Sequence, residues 1–150
     1  MAAAGRALRG SCLCGGRRYE VAGPLRGALN CHCGMCRKAR GAAFRTRAAL
    51  DRTDFRWTSE ASPLVGFRSS PNTVRTFCGT CGANLVSLFD DRPEVIGLAL
   101  GTLDDDPGVR PACHVFVGSK APWHAITDDL PQFDELPPLP GATPQRMATR

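Results

Sequence analysis

Apolar and polar residues alternate in short patches along this chain rather than recurring every three or four positions. Tyr19 and Val21 alternate with polar neighbours, Phe55 and Trp57 repeat the pattern, and Val115 alternates with Val117. A period of two is the spacing of strands that bury one face. Val95, Ile96, Leu98 and Leu100 form a denser, buried apolar run. Gly and Pro, 16 and 12 in number, punctuate these patches at short intervals and mark turns. The pattern predicts a mainly β domain of antiparallel sheets with few short helices. One helix is expected just after Cys33, because Met35 to Arg40 lacks β-branched residues.

The periodicity fades at both ends. Residues 1–9 read as a loose arm, 10–136 as a single domain, and 137–150 as a flexible tail with four prolines. A chain of 150 residues suits one domain, and 43% hydrophobic with 22% charged residues is an ordinary globular composition. Aromatic residues are sparse at 7%, so metal crosslinks would help the core. The net charge of +5 comes from scattered basic residues such as Arg6, Arg17, Arg26, Arg37, Arg45 and Arg68. That distribution reads as a solvated surface, and a nucleic-acid partner is not expected. No stretch approaches a membrane span, and the first residues lack the apolar run of a secretory signal. A cytoplasmic protein is therefore expected, and in that reducing compartment eight cysteines favour metal over disulfides.

The cysteines carry the chemistry. Cys78-Gly79-Thr80-Cys81-Gly82 is a knuckle whose two-residue gap lets both sulfurs reach one tetrahedral ion. A closed structural site needs four ligands, and Cys12 and Cys14 can supply the other two from far upstream. Cys31, Cys33 and Cys36 place three thiolates within six residues. Three protein ligands leave one tetrahedral position open, the mark of a catalytic zinc site. A zinc ion with three thiolates carries about −1 overall, which makes it a poor Lewis acid but able to hold a fourth thiol as thiolate. His32, between two of these cysteines, is expected behind the ligands or at the surface. Arg37 and Lys38 follow directly and could steer a carboxylated thiol. Cys113 has no ligand-spaced partner and reads as a small core residue.

Taken in order, these clusters make the chain resemble the glutathione-dependent formaldehyde-activating family, which includes the centromere protein V domain. The resemblance runs from Gly10 to Trp123. It rests on Gly10-Ser11-Cys12-Leu13-Cys14-Gly15-Gly16 with Tyr19, on Cys31-His32-Cys33-x-x-Cys36-Arg37-Lys38, and on Phe77-Cys78-x-x-Cys81-Gly82. Gly101-Thr102-Leu103-Asp104 follows, then Pro111-x-x-His114-Val115-Phe116-Val117 and Ser119-Lys120-Ala121-Pro122-Trp123. The resemblance implies a β-tent fold. It implies one structural zinc on Cys12, Cys14, Cys78 and Cys81 and a second on Cys31, Cys33 and Cys36. It also implies carbon–sulfur lyase chemistry, the reversible joining of formaldehyde to the glutathione thiol.

The expected mechanism has a substrate thiol enter the open metal position, lose its proton and attack a small aldehyde. His114 or Lys120 would supply the proton that quenches the alkoxide. Two other functions remain open at this point: a zinc-stabilised module that binds nucleic acid or protein, and a thiol or zinc sensor without catalysis.

Overall fold

The computed structural model describes residues 5–137. Ten strands and one α-helix account for most of that span. The first strands are β1 (Leu8–Ser11), β2 (Arg17–Val21) and β3 (Arg26–Cys31). Helix α1 (Gly34–Arg40) follows, then β4 (Arg45–Asp51), β5 (Phe55–Glu60), β6 (Leu64–Ser70) and β7 (Thr73–Cys78). The last are β8 (Asn84–Phe89), β9 (Val95–Ala99) and β10 (His114–Val115).

The strands form two sheets. One is three-stranded, ordered β1-β2-β5; the other is seven-stranded, ordered β10-β3-β4-β9-β8-β7-β6. All neighbours are antiparallel except β3 and β10, which run parallel with Asn30 opposite His114 and Cys31 opposite Val115. The mainly β expectation therefore holds, with two sheets and one helix.

The apolar patches fall where their period placed them. Tyr19 and Val21 of β2 face a core shared with Leu50, Leu85 and Leu98. Phe55 and Trp57 of β5 pack beside them, Phe55 stacking on Tyr19 at 5.1 Å between centroids. Two expectations need correction. Val117 does not continue a strand, because the chain turns at Phe116, whose φ of 55° is left-handed, into a single 3-10 turn at Val117–Ser119. Leu100 likewise leaves β9 for a 3-10 turn at Leu100–Thr102. Each run kept its apolar character across a turn that periodicity does not detect.

The small sheet is fastened to the large one near that turn. Gly10 bridges Leu103, the Tyr19 hydroxyl lies 2.7 Å from Thr102 Oγ1, and the Ser11 hydroxyl donates to Asp104 at 2.9 Å. Arg9 reaches Asp105 at 2.9 Å. Leu8 and Arg9, placed in the arm by the sequence, thus belong to β1, because their backbone pairs with Val21 and Glu20 of β2. The remainder of the expected arm up to residue 4, and the expected tail beyond residue 137, lie outside the described residues.

Candidate functional site

The loop after β1 and the turn after β7 meet. Cys12 and Cys14 come from the first, Cys78 and Cys81 from the second, and their four sulfurs all lie within 4.8 Å of one another. Each cluster is followed by a glycine at φ of 77°, Gly15 and Gly82, a conformation that side chains rarely adopt. Each glycine amide donates back to the first cysteine's carbonyl, Gly15 to Cys12 at 3.0 Å and Gly82 to Cys78 at 2.8 Å. The two turns are therefore built alike and bring their sulfurs face to face. A tetrahedral ion with metal–sulfur bonds of about 2.3 Å spaces its sulfurs about 3.8 Å apart. Cys14 and Cys78 are separated by 3.8 Å, and Cys12 and Cys14 by 3.5 Å.

The thiols are prepared for an ion to different degrees. The backbone amides of Cys81 and Thr80 surround the Cys78 sulfur and lower its pKa to about 6. The Ser62 hydroxyl, 3.4 Å away, lowers that of Cys14. Burial raises that of Cys12. The chemistry of this donor set fits one metal ion, four soft thiolate ligands with no position left over.

The second cluster is local. Cys31 ends β3, Cys33 caps α1 by accepting from the Cys36 amide at 3.3 Å, and Cys36 lies in the first turn of the helix. Gly41 closes α1 in the left-handed conformation, its amide donating to Arg37. The Asn30 amide donates to the Cys113 carbonyl and the His32 amide to that of Val115, so β10 braces the segment on its other side. Three sulfurs, from Cys31, Cys33 and Cys36, converge within 4.8 Å. Cys113 packs against this cluster but its sulfur is not one of the group. Hydrogen bonds from Cys31 and Cys33 drive the Cys36 thiol far below its usual pKa, and the same contacts with Cys33 and Cys36 drive that of Cys31 up. Negative charge is thus favoured on the Cys36 sulfur over that of Cys31.

Arginines surround that sulfur. Both terminal nitrogens of Arg75, on β7, lie 3.7 Å from the Cys36 sulfur. Arg45 begins β4 opposite Cys31 and is 5% exposed. Arg40 ends α1. Burial, with repulsion from Arg45 and Arg75, lowers the pKa of Arg40 to about 9; burial also lowers that of Arg45 to about 10. The Nε atoms of both are buried without a hydrogen-bond partner. Neither residue was singled out by the sequence as a site residue, since no spacing motif marks an arginine that a strand register brings to a cysteine. Arg37 and Lys38, which were, sit differently: Arg37 donates to the Ser119 carbonyl at 3.2 Å, and Lys38 is exposed.

Behind the second cluster runs a chain of hydrogen bonds. His32 is fully buried rather than at the surface, and its Nε2 lies 2.8 Å from His114 Nδ1. His114 Nε2 lies 3.0 Å from Asp128. The Asp128 carboxylate, lowered in pKa by the Leu130 amide and by His114, accepts from His114 Nε2. In a neutral His114, Nδ1 then accepts, and His32 must donate from Nε2. The His32 Nδ1 lone pair is left buried without a partner among the described residues. Burial first, and then the neighbouring His114, lowers the His32 pKa to about 4, so this imidazole is neutral near neutral pH. His124 and Phe44 lie beside it, at 5.9 and 5.0 Å between ring centroids. The Lys120 ammonium donates to the carbonyls of Ala121 and His124, which draws it away from a role as free acid. Asp128, Phe44 and His124 carried no sequence signal; only the packing of β10 and the segment after it assembles them.

Geometry of this kind defines a small β protein built around two cysteine clusters, either of which could hold a metal ion. The chain belongs to the glutathione-dependent formaldehyde-activating enzyme family, whose model matches residues 7–119. A similar solved structure is the crystal structure of a Rhodobacter sphaeroides protein, 27% identical, with a TM-score of 0.55 over 69% of this chain and 91% of that one. Among curated proteins none matches the chain. No helix of the described residues is long and apolar enough to cross a membrane.

Proposed function

We propose that this protein is a zinc-dependent enzyme of the carbon–sulfur lyase type, which activates a thiol of the glutathione kind for reversible addition to formaldehyde or a related small aldehyde. One observation carries the reading. Among the described residues, Cys31, Cys33 and Cys36 gather three sulfurs with no fourth Cys, His, Asp or Glu grouped with them, in a chain of this family. Two zinc ions per chain follow, a closed one on Cys12, Cys14, Cys78 and Cys81 and an open one on Cys31, Cys33 and Cys36. The fold is then of the β-tent type.

Zinc at the open site would lower the pKa of a substrate thiol and hold it as thiolate. The chain's own residues do the rest. β10 and the caps of α1 fix the three cysteines. The buried chain from His32 through His114 to the exposed Asp128 offers a route by which the thiol's proton leaves and the product's hydroxyl proton returns. In the addition, a sulfur–carbon bond forms as the carbonyl pair moves to oxygen, which then takes the proton. His114 would pass the proton along this chain rather than meet the substrate, since both of its nitrogens are engaged by His32 and Asp128, and the Lys120 ammonium is bound to carbonyls.

The test is cobalt substitution. Adding glutathione should strengthen the sulfur-to-cobalt charge-transfer band, and Cys36→Ser should abolish the change. Formaldehyde should then give the hydroxymethyl thioether faster than a metal-free control. Thiol binding without acceleration would leave a sensor; a band indifferent to every thiol would end the enzyme reading.

A further inference from the structure

A cavity of about 410 Å³ is lined by Arg40, Phe44, Arg45, Thr46, Asn84 and Thr102 among others. Two of these border the three-cysteine cluster, Arg40 one helical turn beyond Cys36 on α1 and Arg45 paired with Cys31. Small-molecule sites run from roughly 300 to 1,000 Å³. Formaldehyde would fill little of such a space, which has room for a larger molecule. No Asp or Glu of the described residues lines it.

Its charge is unbalanced. Arg40 and Arg45 both line the cavity and both lie within electrostatic reach of the Cys36 sulfur, which Arg75 covers from the side of β7. A zinc ion on three thiolates carries about −1 overall, so three guanidinium groups more than neutralise it. The surplus is positive and sits on two residues whose Nε atoms are buried without partners. Buried charge is costly unless it is paired, and arginine's planar fork matches a carboxylate. Were the three arginines present only to balance the thiolates, the nearest of them would suffice, and Arg75 already occupies that place.

Resting on the reading of Cys31, Cys33 and Cys36 as the thiol-holding site, we propose that Arg40 and Arg45 form the subsite for the carboxylates of the thiol substrate. The enzyme then selects an anionic thiol over a neutral one of the same size. Arg37 and Lys38, next to the cysteines in sequence, do not take this role; one is tied to Ser119 and the other faces solvent.

The experiment compares glutathione with its diethyl ester, which keeps the sulfur and masks both carboxylates. Binding is read from the charge-transfer band of the cobalt-loaded protein, with 2-mercaptoethanol as a neutral reference. Each charge-assisted hydrogen bond lost should weaken binding about tenfold or more, so the ester should bind at least that much less tightly than glutathione. That ratio should collapse towards one in Arg45→Gln and in Arg40→Gln. Should Arg45→Gln fail to fold, Arg40→Gln and the ester comparison in the unaltered protein still decide the matter. Equal affinity for glutathione and its ester overturns the subsite while leaving the thiol-binding centre standing. A preserved ratio in both variants overturns these two arginines as its cause. Failure of every thiol to move the band, 2-mercaptoethanol included, overturns the centre itself and the subsite with it.

Discussion

Losing one cysteine from each cluster should cost very different amounts of stability, and the loop each cluster closes sets the difference. Cys14→Ser and Cys33→Ser are the cleanest pair. Cys14 is exposed, so the exchange removes little packing, and Ser62 remains able to bond the new hydroxyl. Cys33 caps α1, and serine is a good cap, so that exchange spares the helix. Cys14 and Cys78 stand 64 positions apart. A cross-link over such a span withdraws about 4 kcal/mol of unfolded-chain entropy, against about 2 kcal/mol for one closing only a few residues, as between Cys31 and Cys36. Domains are stable by roughly 5 to 15 kcal/mol in all, so the first loss is a large share of the total.

Urea unfolding followed by circular dichroism reads the difference, with elemental analysis to verify that each variant has lost one zinc. With a slope near 2 kcal/mol/M, the midpoint of Cys14→Ser should fall about 1 M below that of Cys33→Ser. Equal midpoints in two variants that have each lost one zinc would refute the division into a fold-holding site and a local one.

Three other outcomes are expected. Cys113→Ser should leave the zinc content at two per chain by elemental analysis, since its sulfur is outside both groups. Burial raises the pKa of Tyr19 above its ordinary value near 10. The phenol therefore contributes stability that is whole below pH 10 and is lost as pH rises beyond it, because only the unfolded chain ionises there. Tyr19 is the only tyrosine, so absorbance at 295 nm should show no titration until the alkaline unfolding seen by circular dichroism. Binding to duplex DNA should be weak and fall steeply with salt, as scattered positive charge predicts; filter binding that stays tight at physiological salt would speak against this.

The cysteine clusters were legible in the sequence because their information is local. Two or three sulfurs within a few residues can reach one ion whatever surrounds them, and ligand counting alone joined Cys12 and Cys14 to Cys78 and Cys81. Strands β2, β5 and β9 were legible because their buried residues are large and apolar. Strand β4, with the sequence Arg-Thr-Arg-Ala-Ala-Leu-Asp, was not: its buried residues are Arg45, Ala48 and Leu50, which do not alternate strictly, and only Leu50 is large and apolar. Missing β4 meant missing Arg45, whose place opposite Cys31 is a matter of register. The chain from His32 to Asp128 was hidden for the same reason. It depends on β10, two residues long, lying parallel to β3, and nothing in the spacing of His32, His114 and Asp128 announces that pairing.

The different reach of the two clusters also bears on why one chain would carry both. A site that turns over must let its fourth ligand come and go, and its geometry must survive the interval. The segment from Cys31 to Cys36 has contacts of its own that would serve in that interval. The parallel pairing to β10, the sulfur cap on the Cys36 amide and the left-handed Gly41 cap hold it through the backbone. The four-cysteine site has the opposite design. Its two turns come from strands in different sheets, and no hydrogen-bonded strand pairing joins β1 to β7. Its ion would add a cross-link to the contacts that Arg9, Gly10, Ser11 and Tyr19 make with residues 102–105, and a cross-link is secure only if every coordination position is filled by protein. A chain with one metal site of either kind would have either a firm junction with no open position, or an open position near a junction that loosens. On this reading the long-range cluster secures the sheets that the arginines and the three-cysteine site need in register, and the local cluster is thereby free to exchange its ligand.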